Sequence, residues 1–278
     1  MTAGIAKEKA LWRLIVVGGH TRSIGKTQLV CDVIRAFPRT EWIAGKITQY
    51  GHGVCAQNGE NCDCAPTDHV CALDWETRAD TGTDSSRFLQ AGAKRSFWLR
   101  TKQGYLAEGL PLLRQALAEI GAERSENAIP QGLKPSDGRA VMSELKLRPP
   151  MPSQILRASM PSQTLEVPTQ NEEQRSHAVI VESNSLMQFV KPSLYFAVID
   201  PLKEDFKASA QLALDRTHAL VLRGEVGGDA PPAPLWMKLP EQLLREKPSV
   251  MQREGEKLPK PLWELVHRIL EGPPGSTL

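Results

Sequence analysis

The stretch RLIVVGGHTRSIGKTQLVCDVIRAF, residues 13–37, restricts the fold more than any other part of this chain. Leu14–Val17 is a short β-branched apolar run of the kind that forms a buried strand. Thr27–Phe37 carries Leu29, Val30, Val33, Ile34 and Phe37 on one face at helical spacing. Glycines and hydroxyl residues join the two, ending in Gly25-Lys26-Thr27. A strand, a glycine-bounded loop and a helix in that order build an anion site, because loop and helix N–H groups converge on the ligand and the helix dipole favours negative charge. Lys26 is expected to neutralise phosphate oxygens, and the Thr27 hydroxyl to ligate magnesium. The usual phosphate-loop spacing is G-x-x-x-x-G-K-[ST]. Counting back from Gly25 reaches His20, whereas the nearest glycine is Gly19, so this loop is one residue longer. Gly19, His20, Thr21, Arg22, Ser23, Ile24, Gly25, Lys26, Thr27 and Gln28 are the candidate nucleotide-binding residues.

Beyond this stretch the chain alternates strand and helix patterns. Strands are expected at 14–17, 41–47, 96–101, 177–183, 194–200 and 218–224, and helices at 27–37, 105–121 and 205–216. Apolar strands alternating with amphipathic helices predict an α/β fold, a mainly parallel sheet flanked by helices. The core is expected from residues 1–121 and 177–224. Residues 122–176 are rich in Pro, Ser, Gln and charge and repeat MPSQ at 151–154 and 160–163. So little apolar surface predicts a disordered insertion. Residues 225–278 form a Pro-rich tail whose end, PKPLWELVHRILEG, puts Leu262, Leu265, Val266 and Ile269 on one face of a docking helix.

The loop GHTRSIGKT resembles the longer G-x-x-x-x-x-G-K-T loop of dethiobiotin synthetases, members of a P-loop NTPase class. Further along, the pattern is similar to the molybdopterin-guanine dinucleotide biosynthesis protein B family. There a strand ending in lysine precedes an Asp-x-x-Arg…Ala-Gly-Ala segment, and here IAGKITQYGHG (43–53) precedes TDSSRFLQAGAKRSFWLRT (83–101). Asp84, Arg87 and Ala91-Gly92-Ala93 stand in that order. A later strand ending Val-Glu-Gly in those families is VIVESNS here, with Glu182 in place and Ser183 where the glycine would be. The resemblance spans residues 12–224, interrupted by the insertion, and implies a P-loop NTPase fold that binds ATP or GTP with magnesium. It implies that Lys46 faces the phosphates or a substrate. Glu182 is the first choice of magnesium carboxylate, with Asp84 and Asp200 as rivals. The Asn-Lys-x-Asp motif of guanine-selective members is absent after the strand ALVLRGEVGG, which tilts the base preference toward ATP. Members of this class often hold nucleotide at a dimer interface, which implies a homodimer.

Between Lys46 and Asp84 lie Cys55, Cys62, Cys64 and Cys71, with His52 and His69 nearby. Closely spaced thiols on a turn-rich loop suit zinc, which takes a tetrahedron of soft or borderline donors. An iron–sulfur cluster, redox-active thiols and unliganded cysteines are the other readings. Cys31, on the apolar helix face, is expected to be core. The five cysteines are an odd count, which argues against a disulfide framework.

A formal net charge of +2 with no basic block gives no electrostatic case for nucleic acid or a membrane surface. No apolar run approaches the ~18 residues of a membrane span. A soluble, cytoplasmic protein is expected. The function expected is magnesium-dependent nucleoside triphosphate binding with hydrolysis or phosphoryl transfer, in an accessory protein of cofactor metabolism. Its partner would be a small-molecule acceptor or a protein client. A ligase like dethiobiotin synthetase, a metallochaperone with a nucleotide-switched cysteine cluster, and a degenerate loop acting through the Pro-rich insertion are the alternatives.

Overall fold

Period-two side-chain alternation, with apolar residues on both faces, makes each central strand a partition between two cores. In β1 (Arg13–Gly19), Leu14 and Val16 enter one core while Ile15 and Val17 enter the other. The computed structural model describes residues 12–50, 70–127, 177–223, 239, 241–253 and 255–272. After β1 come α1 (Lys26–Ala36), β2 (Glu41–Tyr50), β3 (Cys71–Glu76), α2 (Asp84–Gln90), β4 (Arg95–Lys102) and α3 (Leu106–Asn127). The second half supplies β5 (His177–Glu182), β6 (Leu194–Ile199), α4 (Ala208–Gln211), β7 (Ala219–Leu222), α5 (Glu241–Glu246), β8 (Ser249–Met251) and α6 (Lys260–Glu271).

The strands form one eight-stranded sheet in the order β3-β4-β2-β5-β1-β6-β7-β8. Every neighbouring pair is parallel except β3 with β4. The fold is therefore α/β, with helices on both faces. One core joins α1, α2 and α6 to the sheet through Leu29, Ile34, Phe88, Leu262 and Val266. The other joins α3 through Leu106, Leu110, Leu113 and Leu117, together with Leu186 and Met187 of the 3-10 turn Ser185–Gln188. β1 lies between β5 and β6, so the chain after β1 sits where strand order reverses, the place where open α/β sheets bind ligands.

The expected strands are present, with ends shifted by a residue or a few. α3 runs past Gly121 to Asn127, since one helical glycine costs only about 1 kcal/mol. The helix expected over 205–216 shrinks to α4 and a 3-10 turn at Leu214–Arg216, because its first residues are held against the β1–α1 loop. The segment 225–278 does more than dock a helix: β8 extends the sheet beside β7, and α6 buries Leu262, Val266 and Leu270. The insertion at 122–176 lies outside the described residues, apart from the end of α3. Among the described residues no helix is long and apolar enough to cross a membrane.

Candidate functional site

Loop 20–25 leaves the C-terminal end of β1 and turns into α1. Gly25 sits at φ 84°, a left-handed conformation that glycine adopts without a Cβ penalty, and it caps α1 with no side chain over the helix end. The first-turn N–H groups of that helix thus open toward the space above the strand ends.

Three layers of contacts hold the loop. Asn184, just past β5, accepts from the Gly19 N–H at 2.7 Å and donates to the Gly19 carbonyl at 2.7 Å. From the other flank, the segment 200–207 after β6 clasps it. Asp205 accepts from the Thr21 hydroxyl, Lys203 Nζ donates to the Ser23 carbonyl at 2.7 Å, and the Lys207 N–H donates to the His20 carbonyl at 2.9 Å. Behind the loop, Arg223 at the end of β7 donates to the Gly25 carbonyl at 3.2 Å and to the Gln252 carbonyl at 3.2 Å. His20 is buried beside Phe206, and burial lowers its pKa, so its ring is neutral near pH 7. Ile24 is buried in the core.

Five charged side chains named from the sequence, Lys26, Lys46, Asp84, Arg87 and Glu182, meet above the loop. Lys26 Nζ donates to the Thr21 carbonyl at 2.6 Å. The Thr27 hydroxyl donates to Glu182 Oε2 at 2.6 Å. Lys46, at β2, pairs with Asp84 and lies 3.9 Å from Glu182 Oε1. Asp84 is also 3.7 Å from Arg87, whose guanidinium donates to Gln28 at 3.1 Å. Burial pushes the Lys26 pKa down, and Glu182 only partly offsets it. Burial acts the same way on Lys46, but there Glu182 and then Asp84 outweigh it and the net shift is upward. These groups line a cleft of about 1360 Å³ that also takes in Arg22, Gln103, Gln188 and Lys207.

Asp200 does not join them: its carboxylate accepts from the Leu202 N–H at 3.1 Å, capping its own turn. Cys31 is core as expected, with burial raising its thiol to about 11. Cys71 opens β3, half-buried and opposite Thr101 of β4. Cys55, Cys62 and Cys64, with His52 and His69, lie outside the described residues. Among the described residues no group of three or more His, Cys, Asp and Glu is placed to hold a metal ion. Thr27 and Glu182 still offer hard oxygen donors side by side, the chemistry that magnesium takes.

Asn184, Asp205, Lys207 and the loop contact of Arg223 escape the sequence reading. Only Asn184 left a trace, two residues beyond Glu182 in VESNS. No protein-family model, curated protein or solved structure matches this chain.

Proposed function

We propose that this chain is a P-loop NTPase that binds a nucleoside triphosphate with magnesium on loop 19–27 and hydrolyses it or transfers its phosphoryl group. The observation that carries this reading is the Thr27 hydroxyl held on Glu182, at an open helix N-terminus, between Lys26 and Lys46. In this reading Lys26 leaves the Thr21 carbonyl for phosphate oxygens. Thr27 and Glu182 hold magnesium, which neutralises charge on the phosphate chain. Lys46, tethered by Asp84, faces the terminal phosphate or an acceptor. The cleft is larger than the roughly 300–1,000 Å³ of ordinary small-molecule pockets, which leaves room for an acceptor beside a nucleotide. The role proposed is that of an accessory protein of cofactor metabolism, similar to molybdopterin-guanine dinucleotide biosynthesis protein B, with ATP and GTP both as candidates.

Calorimetric titration of ATP and of GTP, each with magnesium, tests it. Saturable binding that Lys26→Ala removes, with the melting transition kept, is the result expected. Equal affinity in the variant and the parent sinks the phosphate assignment.

A further inference from the structure

Lysines at the cleft differ in what they hold. Lys26 donates to a carbonyl of its own loop, and Lys46 is paired with Asp84. Lys207 also lines the cleft, yet among the described residues its ammonium has no hydrogen-bond or salt-bridge partner. Its backbone is nonetheless fixed, since its N–H is bound to the His20 carbonyl at 2.9 Å. The anion nearest in sequence, Asp205, is taken by the Thr21 hydroxyl. A half-buried ammonium beside Arg22 and Lys26 is an expense unless an anion joins it. Strand order decides from which side it acts. Lys46 ends up on the β5 and β2 flank of β1, whereas Lys207 follows β6 on the opposite flank.

We propose that Lys207 is a further phosphate-binding residue, gripping the phosphate chain from the β6 side of the loop while Lys46 faces it from the β2 side. The proposal rests on the triphosphate reading above and adds a residue to it. Charged groups facing Lys207 are Arg22 and Lys26 on the loop and α1, Lys46 on β2, and Asp205 on its own segment. Burial first, then Arg22 and Lys26, bring its pKa down to about 8. An anion favours the charged form, so binding above that pH takes up a proton and affinity falls as pH rises. Arginine in its place stays charged throughout.

The experiment is calorimetric titration of magnesium-ATP, magnesium-GTP and inorganic triphosphate into the full chain, at pH 7 and pH 9. Parent, Lys207→Ala, Lys207→Arg and Lys26→Ala are compared, with thermal melting to verify folding. Lys207→Ala is expected to lose about tenfold or more in affinity for all bound probes, the scale of a charge-assisted hydrogen bond. Lys207→Arg is expected to retain binding and to show a smaller fall from pH 7 to pH 9 than the parent. If Lys207→Ala binds as the parent does, or Lys207→Arg loses affinity with pH as steeply, this proposal is overturned while the triphosphate reading stands. If the parent binds none of the three probes, that reading fails and takes this one with it.

Discussion

At Glu182 a single carboxylate has two neighbours, the Thr27 hydroxyl at 2.6 Å and the Lys46 ammonium at 3.9 Å. Removing its charge as Glu182→Gln keeps the shape but weakens the hold on a divalent cation. The expected outcome is nucleotide binding that no longer strengthens when magnesium is added, read by titration with and without the ion. A magnesium effect as large as the parent's would take Glu182 out of the metal role. Asn184 acts on structure instead. Asn184→Ala would strip the Gly19 N–H and carbonyl of their partner, and a buried unpaired group costs about 1–3 kcal/mol. A fall in stability on denaturant unfolding of about that size or more is expected, and an unchanged midpoint would mean that Gly19 finds other partners. Lys26 and Thr27 were legible because their signal is local, a few residues at one junction. Asn184 and Lys207 were not, since each meets the loop only after the sheet brings together positions more than 160 residues apart.

Among the elements, the central strands β1, β5, β6 and β7 were legible from their unbroken apolar runs, which burial on both faces demands. β3 was missed because its antiparallel, half-exposed edge position needs no such run, and CALDWE keeps a charge inside it. α2 has seven residues, too few for a helical period to stand out, and is instead fixed by Thr83 capping the Ser86 N–H. β8 has three residues and exists because β7 offers it an edge. Between β2 and β4 the packing leaves no spare volume: a Cβ on Gly45 would lie 2.0 Å from the Phe97 ring, itself fully buried. Gly45→Ala should cost about 1–3 kcal/mol as overpacking does, measured by denaturant unfolding. A neutral result would mean that the Phe97 ring can rotate away.

Seen as a whole molecule, the chain gathers cations at its cleft, and that has a pH signature. The lowered pKa of Lys207 in the folded state, about 8, lies below its ordinary value of 10.5. Below pH 8 the folded chain carries the full cost of that buried charge, and the cost is relieved as pH rises from about 8 toward 10.5. Lys207→Met is therefore expected to melt higher than the parent at pH 7, with the gap narrowing by pH 10. A constant gap across that range would refute the assignment of the cost to charge. The zinc and the homodimer expected from the sequence also belong to this scale. Cys62→Ser with Cys64→Ser should lower the metal content found by elemental analysis, and equal content in both proteins would remove the zinc hypothesis. Sedimentation equilibrium with and without nucleotide reads the dimer, and a monomer under both conditions would exclude it.

The antiparallel edge strand has a consequence for engineering. β2 ends at Tyr50 opposite Lys102, and β3 begins at Cys71 opposite Thr101, so adjacent residues of β4 hold both ends of the chain between them. Two strand spacings separate those ends, roughly 10 Å. A bridge of about three or four residues covers that distance. A short glycine-serine linker is therefore long enough to join Tyr50 to Val70 in place of 51–69. The same two anchor points, next to Gln103 and Gly104 at the rim of the cleft, make a port where a foreign peptide could be grafted to face whatever the cleft holds.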